Sequence, residues 1–170
     1  IGTGARPLPF SPSFLDVGTG SGLIALMLAQ RGLETVDAVE IDPDACIQAE
    51  ENFKASPWPG KIHIVQTSFQ EFQKNKQKKY DLIVCNPPYF DKSLRANGHQ
   101  RAIARDSFAL PATDIISGAA KLLYAHGKFC MIAPFEKYPE LYSLATNHKL
   151  LITRETRVHP PPEKPAKRVL

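Results

Sequence analysis

Apolar and polar positions along the chain fall into two alternating rhythms. Short apolar runs of strand character occur at Phe14–Val17, Val36–Ile41, Ile62–Val65, Tyr80–Cys85, Phe129–Ala133 and Leu150–Val158. Between them lie stretches of helical period. Leu23–Gln30 is apolar nearly all round and is expected to be buried. Ala45, Ala49 and Phe53 share one face of a helix that opens on Asp42-Pro43, a cap followed by proline at the first position. Ile115–Tyr124 and Tyr138–Asn147 complete the helices. Strands alternating with helices predict an α/β fold, a doubly wound and mostly parallel Rossmann-like sheet forming a single domain over residues 1–170. Ligands of such sheets bind at the carboxyl ends of the strands.

Two segments do not follow either rhythm. Lys74–Lys79 is polar and lysine-rich and is expected to be a solvated loop. Residues 90–108 lack periodicity and carry Arg95, His99, Arg101 and Arg105. A long stretch of this kind in a compact domain is expected to serve function, here as a substrate-side loop. Ile1 at one end and a strand-like Lys167–Leu170 at the other suggest a chain cut short at both ends.

Composition narrows the class. The 170 residues are 43% hydrophobic and 22% charged, enough to bury one core. The net charge of +4 permits a polyanionic partner. Cys46, Cys85 and Cys130 show no metal spacing, so neither a disulfide framework nor a metal site is expected, and a reducing, cytoplasmic setting is. Cys85 and Cys130 lie in apolar runs and are expected to fill the core. The strongly apolar run Gly22–Ala29 is too short to cross a membrane, and no membrane partner is expected.

The first chemical motif is Asp16-Val17-Gly18-Thr19-Gly20-Ser21-Gly22, between a strand and a helix. Glycines allow a tight turn and the close approach of a ligand. A dinucleotide loop reads GxGxxG and lays a pyrophosphate on the helix start. Here the third glycine comes one residue early, Leu23 takes its slot, and Asp16 would repel a phosphate. A carboxylate there suits an ammonium group. Glu40, at the end of the second strand, can accept the hydroxyls of a ribose. An amino acid joined to a nucleoside satisfies both, and S-adenosylmethionine (SAM) is such a ligand.

The second motif, Asn86-Pro87-Pro88-Tyr89, follows the fourth strand. Its prolines stiffen the backbone and remove two donors. The Asn86 side chain and the Pro87 carbonyl can then accept both hydrogens of an aromatic exocyclic amine. Such bonds strengthen as positive charge develops on the nitrogen. Tyr89 offers a flat face for a splayed base.

These residues resemble the NPPY-type amino-methyltransferases, and within them the bacterial tRNA1(Val) (adenine-37-N6)-methyltransferases. The likeness runs through Leu15–Leu23, Leu26–Arg31, Asp37–Glu40, Glu51–Phe53, Ser56–Trp58, Asp81–Phe90 and Lys167–Leu170, and weakens after Phe90. It implies a SAM-dependent N6-methylation of an adenine in tRNA beside the anticodon. The cofactor set it suggests is Asp16, Gly18, Thr19, Gly20, Gly22, Glu40, Ile41, Ser68 and Asn86. Asn86, Pro87 and Tyr89 would hold the reacting adenine, with Pro88, Phe90, Arg95, Arg101 and Arg105 on the substrate side. Ser68 stands where related enzymes usually carry an acid, and Ile1–Gly4 looks like the remnant of a Gly-Thr-Asp segment. Arg154, Arg157, Lys164, Lys167 and Arg168 are further candidates for phosphate. The same NPPY motif also serves enzymes acting on protein glutamine, DNA adenine or rRNA guanine. A non-catalytic binding module on this scaffold, or a nicotinamide-dependent oxidoreductase, are the remaining alternatives.

Overall fold

The computed structural model describes residues 12–32, 35–75, 78–87, 110–161 and 163–170. Five parallel strands form the main sheet: β1 (Ser13–Val17), β2 (Thr35–Glu40), β3 (Ile62–Gln66), β4 (Tyr80–Cys85) and β5 (Leu123–Met131). Their spatial order is β3-β2-β1-β4-β5. The chain steps outward from β1 to β3, then returns to place β4 on the other side of β1. The reversal between β1 and β4 opens a crevice at the carboxyl ends of those strands.

Helices cover both faces, and the two-residue period of the strands shows how. Phe14, Val36 and Ala38 face α1 (Leu23–Gln30) and α2 (Pro43–Ala55), packing with Ala25, Leu28, Ala49 and Phe53. Leu15, Val17, Ile83 and Cys85 face the opposite side, against Phe69 and Phe72 of α3 (Phe69–Asn75) and Ile115, Ala119 and Leu122 of α4 (Ala112–Leu122). The α2 start is built as its residues predict: Asp42 accepts the amides of Asp44 and Ala45, with Pro43 at the first turn.

Four expectations need correction. Leu150–Val158 is not a sixth strand of the parallel sheet. Leu151 is 88% exposed, and only β7 (Arg157–Val158) is strand. It pairs antiparallel with β8 (Arg168–Val169), which also pairs with β6 (Ala133–Pro134), making a separate small sheet beyond β5. Helix α1 is not buried all round. Ala25, Leu28 and Ala29 meet the sheet while Leu23 and Met27 are exposed, because a helix lying on a sheet buries one stripe only. Cys130 is exposed, since β5 is an edge strand whose alternate residues Phe129 and Met131 pack inward. Finally, the polar stretch from Lys74 begins inside α3, a short helix anchored by Phe69 and Phe72. The last helix, α5 (Tyr138–Asn147), lies where its period predicts.

Candidate active site

Val17 and Cys85 are partners in the β1–β4 register, so the glycine turn and the Asn86-Pro87 step leave the sheet side by side. The turn is held by the backbone: Gly18 N and Thr19 N both donate to the Val39 carbonyl, at 2.9 and 3.1 Å. Gly18, Gly20 and Gly22 all have positive φ. Their roles differ. A β-carbon on Gly18 or Gly20 would meet nothing within 4 Å, whereas one on Gly22 would lie 2.3 Å from Phe53 Cε1. Gly18 and Gly20 therefore keep an open approach for a ligand, and Gly22 makes room for the packing of α1 and α2.

Asp16 is completely buried beneath this turn. Its Oδ2 accepts from the Thr19 hydroxyl at 2.6 Å and the Ala25 amide at 3.0 Å. Thr19 thus serves Asp16. Oδ1 is buried with no hydrogen-bond partner among the described residues. Burial raises the Asp16 pKa to about 6, the two hydrogen bonds oppose that rise, and the nearby Glu40 charge adds to it.

Glu40 closes the other side of the turn. Its Oε2 accepts the Gly20 amide at 2.9 Å, and Oε1 accepts the amides of Ile41 and Asp42 at 2.8 and 3.0 Å. A carboxylate has about four acceptor positions, so these bonds leave one for a ligand. Ser68 caps α3, accepting the Glu71 amide through its hydroxyl at 3.2 Å.

A cavity of about 400 Å³ lies over the strand tips, lined in part by Gly18, Glu40, Ile41, Ser68 and Pro87. It adjoins a second of about 690 Å³ that shares Gly18, Glu40, Asp42 and Pro87 and adds Gly20, Ala45, Asn86, Ile132 and Arg168. The shared walls make them two lobes of one crevice. Gly18, Gly20, Glu40, Ile41, Ser68, Asn86 and Pro87 are thus brought together; Asp16, Thr19 and Gly22 lie behind the wall. Asn86 is exposed and Pro87 buried. Pro88, Tyr89, Phe90, Arg95, Arg101 and Arg105, and the remnant Ile1–Gly4, lie outside the described residues. Thr67 and Leu110, which no motif marks, also border the crevice, as does the α2 cap residue Asp42. Among the described basic residues near the chain's end, Arg168 is the one that lines the crevice.

Among the described residues no cluster of three or more His, Cys, Asp or Glu is arranged to hold a metal ion. Among them, too, no helix is long and apolar enough to cross a membrane.

Known proteins share this fold. The fold matches a ribosomal protein L11 methylase from Lactobacillus delbrueckii subsp. bulgaricus at a TM-score of 0.66 and 21% identity, covering 95% of this chain and 68% of that one. It also matches TrmN from Thermus thermophilus at 0.59 and 23%, covering 92% and 40%. A curated relative from Parabacteroides distasonis is 46% identical over 92% of this chain and 66% of its own length. One from Flavobacterium psychrophilum is 40% identical over 96% and 71%. Both bear the name tRNA1(Val) (adenine(37)-N6)-methyltransferase, and this chain spans about two thirds of their length. Residues 6–154 match the methyltransferase small domain model, and by that match together with these relatives the chain belongs to the methyltransferase small domain family.

Proposed function

We propose that this chain transfers the methyl group of SAM to the exocyclic N6 amine of an adenine in tRNA, at the position beside the anticodon. The observation that carries the reading is the meeting of two elements in one crevice: the open glycine turn with Glu40, and the Asn86-Pro87 step of β4. The names of the curated relatives supply the substrate.

The residues present fit the cofactor. Gly18 and Gly20 offer backbone with no β-carbon in the way. The remaining acceptor position of Glu40 would take one ribose hydroxyl directly; taking the second requires one of its three amide bonds, from Gly20, Ile41 or Asp42, to be released. Oδ1 of Asp16, without a hydrogen-bond partner among the described residues, is the acceptor an ammonium would satisfy once the glycine turn in front of it shifts to uncover it. Ile41 and Ser68 would border the adenosine portion. SAM supplies an electrophilic methyl on a sulfonium, so the protein needs no strong base. Asn86 Oδ1 and the Pro87 carbonyl would accept the two amine hydrogens, orient the nitrogen lone pair and stabilise the charge that grows on it. A base in a single-stranded loop can be turned out toward such acceptors at small cost. A tRNA substrate supports a cytoplasmic setting.

The test is methylation with labelled SAM of total tRNA, DNA and protein from cells lacking the gene, followed by nucleoside mass spectrometry. Label in tRNA as N6-methyladenosine is expected. Label confined to DNA or to protein glutamine would overturn the reading.

A further inference from the structure

The crevice has a charge division that the methyl transfer does not by itself require. Its carboxylates among the described residues, Glu40 and Asp42, come from the tip of β2, on the glycine-turn side. Its lining cation among the described residues, Arg168, comes from beyond β5, on the Asn86 side. That placement is built by the small sheet. β6 follows β5 after Ile132, itself a crevice residue, and β8 is the middle strand between β6 and β7. Val169 pairs with Ala133, and both are buried. Side chains alternate along a strand, so anchoring Val169 inward turns Arg168, paired with Pro134 and Val158, to the other face. Backbone bonds between Thr156 and Leu170, in both directions, hold the strand beyond it.

We propose that Arg168 is a substrate-binding residue that grips a backbone phosphate of the RNA next to the target nucleotide. The inference rests on the function proposed above. A sulfonium and an ammonium favour the carboxylate side. An anionic nucleic-acid strand delivering its base to Asn86 and Pro87 must pass the other side. A guanidinium there offers a planar fork matched to phosphate oxygens, which a lysine ammonium cannot reproduce. Glu40 and Asp42 would repel a strand that entered from the wrong side, so the same division sets the direction of approach.

The experiment compares wild type, Arg168→Gln and Arg168→Lys on an anticodon stem-loop RNA containing the relatives' target adenine. Steady-state methylation is measured against salt, and SAM affinity by calorimetry. Arg168→Gln is expected to raise the KM for RNA about tenfold to a hundredfold, the loss of a charge-assisted bond, and by more than it lowers kcat. The slope of log affinity against log salt should shrink by about 0.7–0.9, one phosphate contact. Arg168→Lys should recover part of the KM and most of the slope. With wild-type enzyme, RNA carrying a neutral methylphosphonate beside the target adenine should reproduce the KM loss; this arm holds even if the variants fold poorly. Unchanged KM and slope, an unaffected methylphosphonate substrate, or a loss of SAM affinity matching the loss for RNA would each overturn the proposal. Wild type that binds SAM yet never methylates the RNA would instead overturn the parent reading.

Discussion

The Gly20 amide donates to Glu40 Oε2 at 2.9 Å, tying the glycine turn that follows β1 to the tip of β2. One carboxylate thus shapes the loop and offers its remaining acceptor position to a ligand. Hydrogen bonds to a charged group each contribute about 1.5–3 kcal/mol. Glu40→Ala is expected to weaken SAM binding about tenfold to a hundredfold by calorimetry. Glu40→Gln, which keeps one strong acceptor oxygen, should fall between it and wild type. Equal affinity for SAM in Glu40→Ala would remove Glu40 from the cofactor site.

The glycines of the turn should separate by experiment as they do by geometry. All have positive φ, where alanine costs about 1–2 kcal/mol. Only Gly22 adds a collision, with Phe53 Cε1 at 2.3 Å. Gly22→Ala is expected to destabilise the fold by roughly 2–5 kcal/mol, seen as a melting temperature lower by roughly 10 °C. Gly20→Ala should melt only a few degrees below wild type, the cost of its positive φ alone, and lose SAM affinity as well, because its new methyl group projects into the crevice. Matching melting curves for the two variants would refute the division of roles.

This division marks how far the residues could be read without a fold. Asp16–Gly22 and Asn86-Pro87 were legible because each sits beside an apolar strand and constrains its own backbone. Whether a glycine serves a ligand or a neighbouring helix depends on Phe53, far along the chain, and no local pattern contains that. Helix α3 was recoverable: Ser68 followed by Glu71 has the capping-box spacing, and the Ser68 hydroxyl does accept the Glu71 amide. Its seven residues are too few for a clear period. The strands β7 and β8 are two residues each. They exist through pairing with each other and with β6, so the position of Arg168 was legible only in three dimensions.

Asn86 is exposed at the crevice wall, with its side chain outside both apolar clusters. Asn86→Ala should therefore leave the melting temperature within a few degrees of wild type. If its amide oxygen holds the reacting amine, turnover on tRNA should fall about 100-fold to 1000-fold, the usual cost of losing one transition-state acceptor or donor. Affinity for SAM should change less than threefold. Single-turnover methylation with saturating cofactor reads the chemical step, and a wild-type rate there would end the assignment. Asn86→Asp tests the same point from another side. It keeps an acceptor oxygen, and its negative charge close to the sulfonium should tighten SAM while failing to restore full turnover.

Asp16 ties ionisation to both stability and binding. Burial raises its pKa from 3.8 in the unfolded chain to about 6 in the fold. The folded state therefore holds the proton more tightly, and the stability this brings is fully present below pH 3.8 and is lost as pH rises through about 6. At about 1.4 kcal/mol per pH unit, the ionised carboxylate costs the free protein roughly 3 kcal/mol above that range. Binding should run the opposite way: an ammonium placed at Oδ1 needs the charged form, so SAM affinity should climb across the same interval. Asp16→Asn removes the titration. Its urea midpoint is expected to vary less between pH 4 and pH 7 than that of wild type, and its SAM affinity to stay low and flat across that interval. A wild-type SAM affinity independent of pH through 6, with Asp16→Asn binding equally well, would show that Asp16 only braces the turn through Thr19 and Ala25.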